Sequence, residues 1–218
     1  MKQIRNLTLL FLVAIALQGC YSTSISASWM SEAHHPRNFK KLMVIGMSTN
    51  VAARATFEDE LVYYMRLKGI NAVAASSVMP PDRALVNESP EVQKKRLVDE
   101  GFDGVFAISL LEKNESTKYV YGSNDYMPTS FYGGYYGSFY SYYPHMYSNV
   151  YQPGYYAAST EIIMNSSLFD VESGELLWSA QSDTSDPSSV DDAAHSYAKS
   201  MITQILKRKI IIPNNTKK

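Results

Sequence analysis

The 218-residue chain has one cysteine, Cys20, so no internal disulfide can staple it. Four histidines and a lone cysteine cannot assemble a Cys/His zinc site, and neither a metal nor an organic cofactor is expected. Charge of one sign is also missing: 20 Lys+Arg stand against 21 Asp+Glu, a net charge of −1 with no basic block. That balance excludes the electrostatic footprint of a nucleic-acid binder. A phosphate cradle of the G-x-x-x-x-G-K type is absent as well. No apolar run approaches the roughly 20 residues that a membrane-crossing helix needs. What the chain does have is a 45% apolar fraction, enough for an ordinary globular domain, and 17 tyrosines.

The apolar residues begin with an address. Lys2 and Arg5 precede Leu7–Leu17, an eleven-residue apolar stretch, and Gln18-Gly19-Cys20 follows. A positive start, a short apolar middle and a small residue before a cut are the parts of a secretory signal peptide. Leu17-Gln18-Gly19-Cys20 resembles the lipobox of bacterial lipoproteins. The resemblance implies cleavage after residue 19 and lipidation of the Cys20 thiol and its new amino group. The competing reading is a plain signal peptide with an incidental cysteine. Several acyl chains hold a protein on a membrane far more firmly than one does. Tyr21, not Asp, follows the cysteine, and by analogy with enterobacterial lipoproteins this points to the outer membrane, with the domain facing the periplasm. The mature chain has 199 residues, with 18 basic against 21 acidic side chains.

Residues 20–40 read as a lipidated tether, with a short edge strand at Ser24–Trp29, where Ile25, Ala27 and Trp29 alternate with serines. Leu42–Met47 is a buried strand. Residues 51–68 then place Ala53, Phe57, Leu61, Tyr64 and Met65 on one helical face, closed by Gly69. Ile70–Ala75 is a second strand. Ser89 caps a helix with Pro90 in its first position and Gly101 at its end, and Val105–Leu111 is a third strand. This β-α-β-α-β order predicts a parallel sheet with crossover helices. Thr160–Val171 and Glu175–Ser182 form a hairpin around Glu172-Ser173-Gly174. A last helix over 188–209 buries Val190, Ala194, Tyr197, Met201 and Ile205. The expected fold is therefore a single small α/β domain, residues 41–212, with helices packed on a mixed sheet and a polar tail at 213–218.

Residues 119–156 interrupt that domain. They hold 13 of the 17 tyrosines, five glycines and one charged residue, Asp125. The text has no steady period of two or 3.6, so it reads as a low-complexity aromatic insertion.

The stretch Leu168-Phe-Asp-Val-Glu-Ser-Gly-Glu-Leu-Leu-Trp178-Ser carries a D-x-x-[ST]-G-[EK]-x-x-W pattern across a strand pair. It resembles envelope proteins with the small α/β domain of the TolB amino-terminal type. Among these are penicillin-binding-protein activator lipoproteins and the curli secretion channel subunit. Ser28-Trp29 and Arg54…Phe57-Glu58 look closer still to uncharacterised bacterial lipoproteins with a Tyr/Gly-rich middle. The resemblance implies that Asp170 and Gly174 serve a turn and that Trp178 packs; it carries no chemistry. Curli-type channels insert alternating transmembrane hairpins, and residues 119–156 do not alternate, so no pore is expected.

Catalytic candidates are sparse. Gly46-Met-Ser48-Thr-Asn50 joins a strand to a helix, but it lacks the second glycine of a nucleophile elbow. Helix capping by Ser48, Thr49 or Asn50 accounts for it. His34-His35 beside Glu32 reads as solvated linker. Asp191 and His195 have the spacing of an ordinary helix pair, and Arg54 with Glu58-Asp59-Glu60 that of a solvated face with a local ion pair. No two acidic groups are placed to work as acid and base, and the chain is not expected to be an enzyme.

The tyrosines remain. Each offers a flat apolar face and a hydroxyl at little entropic cost. Tyr132, Tyr135, Tyr136, Tyr140, Tyr142 and Tyr143 are the expected contact residues, for an envelope protein or glycan partner. The leading expectation is a non-catalytic, outer-membrane adaptor or assembly factor. A self-associating structural component is the alternative, and an envelope hydrolase without a recognisable motif is a further one.

Overall fold

The computed structural model describes residues 23–32, 35–79, 88–115, 138–140, 142–143, 160–185 and 187–214. Among them six strands form one mixed sheet: β1 (Thr23–Met30), β2 (Leu42–Met47), β3 (Ala72–Ala74), β4 (Gly104–Glu115), β5 (Thr160–Asp170) and β6 (Leu176–Ser185). Their spatial order is β1-β6-β5-β4-β2-β3. Strand β2 runs parallel to both β3 and β4, while β4, β5, β6 and β1 pair antiparallel in succession. The helices are α1 (Val51–Leu67), α2 (Ala75–Val78), α3 (Pro90–Asp99) and α4 (Val190–Lys207). The expected α/β domain with a mixed sheet is present.

Every residue of β2 is buried, as a strand covered on both faces requires. Leu42 and Val44 join a first core with Leu61 and Met65 of α1 and Tyr197, Met201 and Ile205 of α4. Met43, Ile45 and Met47 join a second core on the opposite face, with Leu97 of α3 and with Phe139, Tyr142 and Tyr143. The sheet is thus the middle of three layers.

Local chemistry sets the helix ends. Of the three capping candidates before α1, Asn50 is the cap: its side chain accepts from the Ala53 N–H at 3.0 Å. Ser89 and Ser189 cap α3 and α4. Gly69 and Gly101 close α1 and α3 with φ of 76° and 81°, a region that costs a side-chain-bearing residue strain.

The structure differs from the sequence reading in several places, among them Val190, read as buried on the last helix but 45% exposed in the first turn of α4. The edge strand expected at Ser24–Trp29 is present as β1, one residue longer at each end, and its pairing with β6 draws that part of the tether into the sheet. A bulge between Ile25 and Ala27 then flips its parity, so Ile25 packs on the first core and Trp29 on the second. Strand β3 is shorter than Ile70–Ala75, since Ala75 opens α2. The Arg54–Glu58 pair forms, but not on a solvated face: Glu58 is fully buried and Arg54 nearly so. The reason is position, because that side of α1 faces the carboxyl end of β2 and the start of α2.

Candidate functional site

A hairpin turn at residues 171–175 joins β5 to β6. Asp170 Oδ1 accepts from the Ser173 N–H at 2.6 Å and from its hydroxyl at 3.0 Å. Gly174, at φ 75°, donates its N–H to the Asp170 carbonyl at 2.9 Å. This turn is also a dock for the aromatic segment. Ser138 bridges Glu175 in antiparallel fashion, and Phe139 N–H donates to the Gly174 carbonyl at 2.8 Å. A Cβ on Gly174 would meet Ser138 Oγ and Tyr140 Cε2, each at 3.0 Å. Glycine is needed there for the backbone and for the close approach of the segment.

From that contact one helical turn carries Phe139, Tyr142 and Tyr143 onto the second face of the sheet. The rings of Phe139 and Tyr142 meet Phe169 at centroid distances of 5.4 and 5.1 Å. Beneath them β4, β5 and β6 present Ser109, Asn165, Ser167 and Ser179, all buried. Tyr142 OH contacts Ser109 Oγ at 3.2 Å and accepts from Asn165 Nδ2 at 3.0 Å. Asn165 Nδ2 also donates to Ser167 Oγ at 2.9 Å, and Ser179 Oγ donates to Asn165 Oδ1 at 3.1 Å. A polar network at this depth must be satisfied to be tolerated, and the tyrosine hydroxyl completes it. Tyr142→Phe is therefore expected to cost about 1–3 kcal/mol in urea unfolding, the usual penalty for stranding a buried polar group.

Tyr140 is half-buried, and its hydroxyl donates to the Val171 carbonyl at 3.0 Å. Burial, with Glu172 and then Asp170 nearby, pushes its ionisation from 10.0 up to about 12. The folded state thus holds the Tyr140 proton more tightly than the unfolded chain. Its contribution is complete below about pH 10 and is lost as pH climbs through 12. Urea midpoints of the wild type should fall more steeply over that window than those of Tyr140→Phe.

Of the six tyrosines expected to make contacts, Tyr132, Tyr135 and Tyr136 lie outside the described residues. Tyr142 and Tyr143 turn inward, with 0% and 4% exposure, and Tyr140 lies at the margin. The sequence reading took all six as contact residues; the described three instead pack on the sheet or at its margin. The inward pair follows from buried ring area and from a hydroxyl that finds partners on the sheet. The signal was present in the sequence: Phe139, Tyr142 and Tyr143 have the i, i+3, i+4 spacing of one helical face.

The other candidates are engaged structurally. Ser48 Oγ accepts from the Asn50 N–H at 3.2 Å. Glu58 Oε1 accepts from Arg54 Nε at 2.8 Å and from the Gly46 N–H at 2.7 Å, and its Oε2 accepts from the Ser76 N–H at 2.7 Å. Asp191 and His195 do not pair; His195 instead faces Tyr64 OH at 3.1 Å and Glu60 Oε2 at 3.5 Å. His35 is exposed, and His34 and Cys20 lie outside the described residues. Among the described residues no three His, Cys, Asp or Glu side chains cluster as a metal site would need, and no helix is long and apolar enough to cross a membrane.

No family model and no curated protein matches the chain. Among solved structures, a PelC dodecamer from Paraburkholderia phytofirmans is 16% identical. The match covers 82% of this chain and 94% of that one, with a TM-score of 0.44. A dodecamer of a PelC point variant from the same organism is 14% identical over 84% and 96%, also at 0.44. Lipoprotein GNA1162 from Neisseria meningitidis is 14% identical over 77% and 98%, at 0.41. These distant likenesses bring neither a partner nor an activity to this chain. The TolB-type resemblance rests on the sequence pattern Asp170–Trp178 alone. The chain is therefore placed by its architecture, a single α/β domain on a six-stranded mixed sheet among the described residues.

Proposed function

We propose that this protein is an outer-membrane lipoprotein, anchored through Cys20 with its domain in the periplasm. Its α/β domain acts as a non-catalytic adaptor or assembly factor. The Tyr/Gly-rich segment is the contact element for an envelope protein or glycan. The observation that carries this reading is the dock of Ser138–Tyr143 on the sheet and hairpin turn. It fixes residues 138–140 and 142–143, near the middle of the Tyr/Gly-rich segment, on the sheet and so gives the segment a platform. A platform of this kind lowers the ordering cost that a free loop meets on binding. The non-catalytic part is supported by Ser48 and Glu58: Ser48 Oγ accepts from the Asn50 N–H in the turn before α1, and both Glu58 oxygens accept buried hydrogen bonds.

Metabolic labelling with a fatty acid tests the anchor. The wild type is expected to incorporate label and Cys20→Ser to incorporate none. Equal labelling of both would contradict the lipoprotein reading.

A further inference from the structure

The chain enters the sheet on a clamp. Thr23 N–H donates to Ser196 Oγ at 3.0 Å, and Thr23 Oγ1 reaches the same oxygen at 3.1 Å. Ser200 Oγ, one helical turn on, donates to the Thr23 carbonyl at 2.9 Å. On the other side Thr23 Oγ1 meets Thr184 Oγ1 at 2.7 Å. The first residue of β1 is therefore fastened to α4 and to β6 at once. Cys20 precedes it by three residues, and three residues span at most about 11 Å when fully extended. A lipid on Cys20 thus leaves the domain almost no leash. The surface around Thr23 must sit at the headgroups.

That surface is a groove of about 490 Å³ between β1 and α4, lined in part by Thr23, Ile25, Ser196, Lys199, Ser200 and Lys207. Lys199 and Lys207 are exposed and lie two turns apart on α4. Asp192, the acidic residue of the groove, stands at the opposite end, about 22 Å from Lys207 at 1.5 Å per residue. Short reach supplies the pivot. The two lysines supply the direction of tilt, since they gain most where a negative surface lies within a screening length of about 8 Å.

We propose that the α4–β1 groove is a membrane-docking face, laid against anionic phospholipid headgroups by the short link to Cys20 and by Lys199 and Lys207. The proposal rests on the lipoprotein reading above and adds an orientation to it. The opposite layer of the sheet then faces away from the bilayer, where a periplasmic partner can reach the docked aromatic turn.

The test uses the full-length lipidated protein, whose native thiol is blocked by its lipid. Thr203→Cys, between the two lysines, and Val92→Cys on α3 each provide one site for a fluorophore. The labelled proteins are reconstituted into phosphatidylglycerol–phosphatidylcholine vesicles that carry a headgroup-linked quencher. Quenching is expected at position 203 and not at 92. It should be lost in pure phosphatidylcholine, in the Lys199→Gln/Lys207→Gln double variant, and when a Gly/Ser segment is inserted between Ser22 and Thr23. Equal quenching at 203 and 92, or quenching at 203 indifferent to all three changes, would overturn the proposal while leaving the anchor intact. Failure of the protein to float with vesicles at all would overturn the anchor reading, and the proposal with it.

Discussion

Glu58→Ala is expected to destabilise the domain by about 3–5 kcal/mol, the range for breaking a buried ion pair from one side. The loss has three parts. Arg54, itself nearly buried, loses the carboxylate at 2.8 Å that balances its charge. The Gly46 and Ser76 N–H groups lose their acceptors at 2.7 Å. The packing of α1 on the end of β2 then loosens, since Gly46 leaves room for little else: a Cβ there would meet Arg54 Cγ at 3.1 Å. Glu58→Gln should cost less, because its one amide oxygen can still accept from Gly46 and Arg54. Its NH2 would face the Ser76 donor, so it should remain below wild type. Urea unfolding of a Cys20→Ser soluble form measures both. A loss under about 1 kcal/mol for Glu58→Ala would mean that the pair behaves as an exposed one.

Trp178→Ala should rank beside it, at about 3–5 kcal/mol. The side chain is fully buried in the first core and stacks on Phe106 at 6.2 Å with an interplanar angle of 24°. Its indole N–H has no hydrogen-bond partner among the described residues, so the loss reports packing and cavity formation rather than a broken polar contact. Trp178→Phe should recover much of it by refilling part of the space. The second core lies across the sheet. Tyr142→Phe should therefore add to Trp178→Ala within about 0.5 kcal/mol, as distant sites do.

Much of this architecture was legible because periodicity and punctuation agreed. The apolar run Leu42–Met47, the helical stripe ending at Gly69, the Ser89-Pro90 start and the turn at Gly174 each point to one element. Parity was less legible. Ile25 and Trp29 are four apart and should share a face of β1. The extra residue in the bulge puts them on opposite cores, and a bulge leaves no mark in an alternating Ser/apolar text. Burial of polar groups was not legible at all. Arg54 and Glu58 have the spacing of any surface pair, and only the placement of α1 against Gly46 and Ser76 closes water out. In the same way Ser109, Asn165, Ser167 and Ser179 look like the wet face of a sheet. Their cover comes from a turn far away in sequence, inside a stretch whose repeated tyrosines mask its helical spacing.

The dock links these observations to function. Its parts are structural one by one, but together they hold the centre of the tyrosine-rich segment at a fixed place on the fold. The most direct test of the proposed function is in-cell photo-crosslinking from that segment. A photoreactive phenylalanine analogue would replace Tyr135 or Tyr136 in the full-length chain, with Val92 on α3 as the control site. A discrete adduct with another envelope protein or with glycan is expected from the tyrosine positions and none from Val92. Adducts with the chain itself would identify the segment as a self-association surface, the structural alternative. The same adducts from Val92, or no adduct from either tyrosine position, would contradict the claim that the segment is the contact element.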